Sequence, residues 1–255
     1  MSKKLLVFII VLLVLILIYL KNSTVTKNQE ISSPTLPPIS EKDNTKSLFF
    51  QNQEYRFAFF KASPQDLSLI PNFKDKKNSV DIKNENNCNS LVNAGFYTTE
   101  NKPIGLFKTN EELIKNYYPN LTFNGVFSIS QQNIASIEDN FSDQNARLAL
   151  QSGPILIKKS VLQKLTINND KTSRRVILAL NSNNEVYFLV IFRQDSKYLG
   201  PYLNDLPKII SDLGASQNLN LSDAINLDGG TASAFYSNET SLEELAPVGS
   251  FFCIK

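Results

Sequence analysis

The stretch Ala224-Ile225-Asn226-Leu227-Asp228-Gly229-Gly230-Thr231-Ala232-Ser233-Ala234-Phe235-Tyr236 decides how this sequence is interpreted. An apolar run ends in the carboxylate of Asp228, and two glycines follow before a second apolar run begins. Consecutive glycines let the backbone turn sharply and bring N–H groups close to a ligand, while Thr231 and Ser233 add hydroxyl groups. The stretch predicts either a strand that delivers a carboxylate to a binding loop or an ordinary Asp-Gly hairpin turn.

Two other segments place polar side chains beside apolar runs. Gln151, Ser152 and Gly153 come directly before the apolar residues 155–157, so they are expected at the edge of a sheet, as binding groups or as a plain loop. Arg175 comes directly before the apolar run 176–180. It either presents a guanidinium to an anion such as a phosphate diester or lies on a solvated hairpin.

The composition excludes several classes of function. The 255 residues contain no His, so a Ser-His-Asp or Cys-His hydrolase and a His-ligated zinc enzyme are ruled out. Residues 47–255 hold 20 basic and 21 acidic residues, and this near-neutral balance argues against a nucleic-acid partner. The acidic residues show no recognisable metal-ligand spacing, so we predict no metal and no cofactor.

The N-terminus predicts a membrane anchor over residues 1–21. Two lysines, Lys3 and Lys4, precede the 16 apolar residues 5–20, a length between that of a signal-peptide core and the roughly 20 residues of a comfortable transmembrane helix. No small-residue cleavage site follows, which favours a single-pass anchor over a cleaved signal. A buried helix of a soluble protein is the alternative. The positive-inside rule places the rest of the chain on the periplasmic or extracellular side.

Residues 22–46 are predicted to be a linker, and residues 47–255 a single domain of the α+β class with a mixed β-sheet and a few helices. The linker contains three prolines within residues 32–38, which favour an extended spacer. Strands are predicted from apolar, aromatic and β-branched runs, and their positions are 55–60, 67–70, 91–97, 155–157, 176–180 and 186–192. Apolar spacing predicts a helix over 203–213 that Gly214 ends, and Asn110 followed by two glutamates predicts a shorter helix over 110–116.

Cys88 and Cys253 are the only cysteines. A domain carried across a membrane lies in an oxidising compartment, where these two residues either form a disulfide or remain as buried thiols. The sequence leaves both alternatives open.

In this order, the segments resemble the phosphodiester glycosidase family, and the resemblance spans roughly residues 50–255. Its most specific element is Asp223–Gly230, and it also includes Asn93-Ala94-Gly95-Phe96, Asn124-Gly125-Val126-Phe127 and residues 150–154. The family's Arg-Thr-Ala-x-Gly element is similar to Arg175-Val176-Ile177-Leu178-Ala179, which keeps only the Arg.

The resemblance implies hydrolysis of a sugar-1-phosphodiester in an envelope or exopolysaccharide type of substrate. Positive charge that develops on the anomeric carbon calls for a carboxylate, and the departing phosphate calls for a cation; these roles fall to Asp228 and Arg175. Hydrogen bonds to sugar and phosphate are assigned to Asn93, Gly95, Asn124, Gln151, Ser152, Gly153, Gly229, Gly230, Thr231 and Ser233. The alternative is a non-catalytic, membrane-anchored protein that binds an anionic polysaccharide.

Overall fold

The computed structural model describes residues 44–255, so the predicted anchor and almost all of the predicted linker lie outside the described residues. Within this range, no helix combines the length and the apolar character needed to cross a membrane. The described chain is rich in strands and contains two α-helices, which are α1 (Ser79–Glu85) and α2 (Leu206–Ser216). The predicted α+β class is confirmed for the domain.

The largest sheet has seven strands, and all of its neighbouring strands run antiparallel. In spatial order these are β1 (Lys46–Phe50), β2 (Gln53–Ala62), β13 (Val186–Arg193), β12 (Arg175–Asn181), β14 (Leu221–Asn226), β10 (Ile155–Lys158) and β11 (Val161–Leu162). Strand β13 is buried from Val186 to Phe192. The predicted strand over 186–192 is confirmed, and its burial on both faces agrees with its uninterrupted apolar sequence.

Two five-stranded antiparallel sheets complete the strand structure. One contains, in order, β16 (Ser241–Leu242), β15 (Phe235–Tyr236), β4 (Ser90–Asn93), β17 (Ser250–Ile254) and β3 (Leu67–Pro71). The other contains β6 (Glu112–Lys115), β5 (Phe107–Thr109), β9 (Leu148–Ser152), β7 (Gly125–Ile129) and β8 (Ala135–Glu138). In place of the single mixed β-sheet that was predicted, the described strands form three sheets whose paired strands are all antiparallel.

The seven-stranded sheet separates two parts of the hydrophobic core. On one face, its side chains pack against both five-stranded sheets, as the rings of Phe188, Phe252 and Phe127 show: the centroids of Phe188 and Phe252 are 5.4 Å apart, and those of Phe252 and Phe127 are 5.7 Å apart. On the other face, helix α2 packs through Leu206, Ile209 and related apolar residues. Ring pairs in such tilted and edge-on arrangements add to the stability that burial provides.

The predicted helix over 110–116 is wrong, because these residues form a tight hairpin between β5 and β6. Asn110 and Glu111 both have positive φ values, 48° and 65°, and Thr109 pairs with Glu112 across the turn. Two consecutive positive φ values are the geometry of a two-residue hairpin loop, which Asn favours. The pairing of the strands outweighs the capping pattern that suggested a helix.

The predicted helix over 203–213 exists but differs at both ends. Residues Leu203–Asp205 form a 3₁₀ turn, and α2 continues through Gly214 to Ser216. A side-chain carbon on Gly214 would lie only 3.2 Å from Leu221, so this glycine serves close packing and does not end the helix.

Cys88 and Cys253 form a disulfide with a Cα–Cα distance of 5.4 Å. The bond joins the segment after α1 to strand β17, which neighbours β4 in the same sheet. The bonded alternative is therefore the one that the structure shows.

Candidate active site

Asp228 lies where two sheets meet. Strand β14 ends at Asn226 beside the start of β12, because Ile177 pairs with Asn226 in antiparallel register. Strand β4, in a different sheet, ends at Asn93. The N–H of Asp228 donates to the carbonyl of Ala94 at 3.3 Å, so the loop that follows β14 bridges the two strand ends.

The carboxylate of Asp228 is partly buried and has one close hydrogen bond, accepted by Oδ1 from the N–H of Gly229 at 2.8 Å. Burial raises the pKa of Asp228 to about 7, although the Gly229 hydrogen bond acts in the opposite direction. Removal from water disfavours the charged form, and no described cation offsets this. At neutral pH the group is therefore divided between its acid and base forms, as a proton-transfer group near its working pH would be.

Asn93 holds both ends of the loop that carries Asp228. Its fully buried side chain donates from Nδ2 to the carbonyl of Asp228 at 2.8 Å, and its Oδ1 accepts from the N–H of Ala234 at 3.0 Å. Both ends of the amide are thus used within the protein. The structure brings Asn93 to the site as predicted, but as a support for the loop and not as a group facing a ligand.

The two glycines after Asp228 serve the same loop. Gly230 has φ of +64°, which glycine adopts without steric cost, and its N–H donates to the carbonyl of Arg174 at 2.8 Å. A side-chain carbon on Gly229 would lie 2.4 Å from that carbonyl oxygen. The glycines therefore permit close backbone contact, and both N–H groups already have acceptors within the protein, at Asp228 and Arg174.

Thr231 and Ser233 differ in their exposure. Ser233 is fully buried, and its Oγ donates to the carbonyl of Gly230 at 2.7 Å. Thr231 is exposed, and only its backbone carbonyl takes part in described hydrogen bonds, with the N–H groups of Leu245 and Ala246. Of these two predicted hydroxyls, the one on Thr231 is available to a ligand.

Gln151 is a buried connector of loops. Its Oε1 accepts from the N–H groups of Leu106 and Tyr118 at 3.0 and 3.2 Å, and its Nε2 donates to the carbonyls of Tyr118 and Phe123 at 2.6 and 2.8 Å. These four bonds use all the ordinary hydrogen-bonding capacity of a glutamine amide. The structure does not join Gln151 to Asp228 by any described contact.

Ser152, Gly153 and Asn124 reach the site through β14 and β10. The Oγ of Ser152 donates to the carbonyl of Asn226 at 2.8 Å, and the N–H of Gly153 donates to the same oxygen at 3.1 Å. Asn124 accepts from the N–H of Ile155 at 2.9 Å. These residues fix the end of β14, two residues before Asp228.

Gly95 is buried beside β9. A side-chain carbon there would lie 2.8 Å from Leu150 and 3.3 Å from the carbonyl of Gln151. This glycine allows the segment after β4 to pass close to β9, which is a packing role at the rim of the site.

The two adjacent arginines lie at the same end of the sheet as Asp228. Arg175 is 9% exposed and donates from Nε to the carbonyl of Pro201 at 3.0 Å and from Nη2 to that of Lys171 at 2.6 Å. Its Nη2 also lies 3.5 Å from a carboxylate oxygen of Asp170. Nη1 makes no described hydrogen bond, and no described contact joins the Arg175 side chain to Asp228 or to the loop that follows it.

Sequence reasoning missed three side chains around the loop: Tyr97, Ser173 and Arg174. Burial and, to a lesser extent, the charge of Asp228 raise the pKa of Tyr97, and its hydroxyl donates to the carbonyl of Pro247. The Oγ of Ser173 lies near both glycines, 2.6 Å from where a side-chain carbon on Gly230 would stand. Each is a sequence neighbour of a predicted element, 93–96 or Arg175, and that adjacency was the available signal.

The described residues contain no group of three or more Cys, Asp or Glu side chains arranged to hold a metal ion. The site instead offers one carboxylate with a raised pKa, a glycine loop and one exposed hydroxyl, and Arg175 lies at the same end of the sheet. A carboxylate of this kind can act as a base or nucleophile, and an arginine suits a phosphate.

Comparison with known protein families shows which family this chain belongs to. A family model described as phosphodiester glycosidase matches residues 86–255, more than half of the chain. The chain belongs to the phosphodiester glycosidase family. The matched range contains all the predicted site residues, from Asn93 to Ser233.

Several solved structures share the fold of this chain. The catalytic domain of zebrafish N-acetylglucosamine-1-phosphodiester alpha-N-acetylglucosaminidase, described as auto-inhibited by its pro-peptide, is 14% identical with a TM-score of 0.61, and the match covers 82% of this chain and 81% of that one. A hypothetical protein from Synechocystis is 13% identical with a TM-score of 0.56, covering 83% of this chain and 61% of that one. An exported protein from Burkholderia pseudomallei is 9% identical with a TM-score of 0.56, covering 80% and 74%.

At these identities the structural likeness shows the fold alone. A search among curated proteins found no match to this member of the family.

Proposed function

We propose that this protein hydrolyses a sugar-1-phosphodiester in an envelope or exopolysaccharide type of substrate, with Asp228 as the reacting carboxylate. The observation that carries the proposal is the partly buried carboxylate at the junction of two sheets, with its pKa raised to about 7. Such a group is poised to accept a proton from water, or to attack the anomeric carbon, near neutral pH. Membership of a family that acts on phosphodiesters gives the reaction class.

In this reaction the bond between the anomeric carbon and the phosphate oxygen breaks, and its electron pair leaves with the phosphate. Water supplies a hydroxyl to the sugar, and its proton passes to Asp228 directly or after a glycosyl intermediate on that carboxylate. The departing phosphate monoester is a weak base, so it needs little help from a general acid. This agrees with a site in which the described loop supplies one carboxylate, that of Asp228.

We assign the phosphate-binding role to Arg175 and a ligand contact to Thr231. The free Nη1 edge of Arg175 can donate to a phosphate oxygen in a charge-assisted hydrogen bond. The exposed hydroxyl of Thr231 follows the glycine loop directly. Asn93 and Ser152 then support the site through the backbone on either side of Asp228.

We also propose that residues 1–21 anchor the protein in a membrane, with the domain on the periplasmic or extracellular side. The Cys88–Cys253 disulfide supports this placement, because disulfides persist in oxidising compartments. A substrate in the cell envelope would be accessible from that side.

The function is tested by incubating the full-length protein with a panel of sugar-1-phosphodiesters and measuring free sugar and phosphate monoester together. We expect equal amounts of the two products. Binding of a panel member or an anionic polysaccharide without any release would instead support the non-catalytic alternative, a membrane-anchored binding protein.

The Arg175→Gln variant tests the phosphate contact. Glutamine keeps an amide donor but removes the charge, so we expect KM for the phosphodiester to rise about 10- to 100-fold, the range expected for a charged hydrogen bond. Arg193→Gln is the matched control, because Arg193 pairs with Asp195 at the surface and should leave KM unchanged. Equal KM values in the two variants would show that Arg175 does not bind the phosphate.

The pH dependence of the rate tests the form in which Asp228 acts. A base or nucleophile must be ionised, so we expect kcat to rise with pH through about 7, where the pKa of Asp228 lies. The measurement is kcat from pH 5 to pH 9. A rate that falls through the same range would show that the protonated form reacts.

A further inference from the structure

Arg174 is the buried neighbour of Arg175 and points the other way. Successive side chains of an extended chain alternate in direction. Arg175 contacts Pro201 and Lys171, whereas Arg174 contacts Ser233 and Glu243. Only 1% of the Arg174 surface is exposed, so this second guanidinium lies beneath the loop that follows Asp228.

The side chain of Arg174 holds that loop at Ser233. Its Nε donates to Ser233 Oγ at 2.8 Å, and its Nη2 donates to the carbonyl of Ser233 and, at 2.9 Å, to that of Glu243. Ser233 Oγ in turn donates to the carbonyl of Gly230 at 2.7 Å. The planar fork of Arg therefore fixes two points of the loop at once, which a flexible ammonium does not reproduce.

The backbone of Arg174 holds the loop at its other end. Its carbonyl accepts the N–H of Gly230 at 2.8 Å and approaches the Cα of Gly229 so closely that no side chain fits there. Side chain and backbone of one residue thus contact Gly229, Gly230 and Ser233, three of the five residues that follow Asp228.

The charge of Arg174 has no paired carboxylate among the described residues. Its guanidinium carbon lies 5.0 Å from the ring centroid of Tyr198, and Nη1 has no hydrogen-bond partner. Burial lowers its pKa to about 10, with Tyr198, Glu244 and Tyr236 acting in the opposite direction, so the residue stays cationic at neutral pH. A buried charge held in this way costs free energy, and packing alone would be served by a neutral side chain.

We propose that Arg174 is the positioning residue for Asp228, holding the Gly229–Ser233 loop so that the carboxylate stays in its sheltered place between the two sheets. The catalytic meaning of this role rests on the proposed function. The claim that Arg174 holds the loop in place rests only on the contacts that Arg174 makes.

The titration of Asp228 reports on the position of the loop. The carboxylate accepts the N–H of Gly229 and interacts electrostatically with Tyr97. Exclusion of water is what raises the pKa of Asp228. If the loop relaxes, water reaches the carboxylate and the pKa returns toward the ordinary value for an aspartate. A residue that contributes only to stability would leave this titration in place in the folded protein.

The test is a titration of the Asp228 side-chain carboxyl by its ¹³C chemical shift in the full-length protein, with the signal assigned through its loss in Asp228→Asn. We compare wild type, Arg174→Lys and Ser233→Ala with the matched control Arg147→Lys. Arg147 is also partly buried and binds Asn133 and the carbonyls of Leu67 and Pro64, outside the loop. The midpoint is expected to fall by about one pH unit or more in Arg174→Lys, less in Ser233→Ala, and not in Arg147→Lys.

Unchanged midpoints in Arg174→Lys and Ser233→Ala would overturn the proposal, and so would an equal shift in Arg147→Lys. If Arg174→Lys does not fold, the midpoint in Ser233→Ala tests the proposal instead. This variant removes the hydroxyl that connects the guanidinium to the carbonyl of Gly230 and keeps the backbone contacts of Arg174. The titration can be measured in a protein that does not turn over substrate. If wild type is inactive, the proposed function is wrong, but the titration still tests whether Arg174 positions Asp228.

Kinetics give the second readout if wild type is active. A displacement of the carboxylate by about 1 Å is expected to lower kcat about 100-fold in Arg174→Lys. KM is expected to change much less than kcat, because Arg175, the assigned phosphate contact, lies outside the Gly229–Ser233 loop. A rise in KM at unchanged kcat would contradict a positioning role.

Discussion

Asp228→Asn is expected to lower kcat on a sugar-1-phosphodiester by roughly 10⁴-fold, the scale of loss when a reacting group is removed. Asparagine keeps the shape of the side chain and its ability to accept the N–H of Gly229, but it can neither take a proton nor form a glycosyl ester. KM should change little, because Arg175 and Thr231 are assigned to binding. The measurement is initial rate against substrate concentration at pH 8.

The same variant should not be less stable than wild type at pH 8. The pKa of Asp228 is raised to about 7 in the folded protein, against about 4 in an unfolded chain. The folded state therefore binds the proton more tightly, and the free energy of unfolding of wild type falls as the pH rises from about 4 to about 7. The neutral asparagine lacks this loss. A variant that is both inactive and strongly destabilised at pH 8 would show that Asp228 is structural.

Loss of the Cys88–Cys253 disulfide is expected to lower the free energy of unfolding by about 4 kcal/mol. The two cysteines are 165 residues apart, and a cross-link across so long a segment restricts the unfolded chain most strongly. Cys253 lies in β17 against β4, the strand that ends at Asn93. The measurement is denaturant unfolding of wild type with and without a reducing agent.

The Cys88→Ala/Cys253→Ala variant separates the cross-link from side reactions of thiols. It should match reduced wild type within about 1 kcal/mol and should not respond to the reducing agent. An oxidised wild type no more stable than this variant would contradict the role of the disulfide.

Patterns within a strand predicted the fold well, whereas turns and the division of sheets needed information from distant residues. The uninterrupted apolar run 186–192 is typical of a strand that is buried on both faces, so the strand could be predicted from its own residues. The Asn110-Glu111 turn was misread, because a helix cap and a two-residue hairpin begin with similar polar residues and only the pairing with β5 decides. Three separate sheets likewise depend on long-range pairing.

The sequence predicted where the candidate site lies better than it predicted the role of each residue there. The Asp228-Gly229-Gly230 stretch does form a loop beside Asn93. However, the side chains of Asn93, Gln151 and Ser152 form hydrogen bonds with backbone groups of the protein. A sequence shows that a residue is polar but does not show its hydrogen-bond partner. The resemblance singled out Arg175, whereas the side chain that contacts the loop after Asp228 is that of Arg174. Successive side chains of a strand alternate in direction, and the direction of each becomes known only when the sheets are placed.

The position of bond cleavage tests the central claim most directly. Hydrolysis of a sugar-1-phosphodiester in H₂¹⁸O, followed by mass analysis of the phosphate monoester, distinguishes attack at the anomeric carbon from attack at phosphorus. The phosphate product is the one to analyse, because the free sugar exchanges its anomeric oxygen with water. We predict a monoester without ¹⁸O, since the carbon–oxygen bond breaks and the label enters the sugar. One ¹⁸O in the monoester would show attack at phosphorus and contradict the assignment of Asp228 as a glycosidase carboxylate.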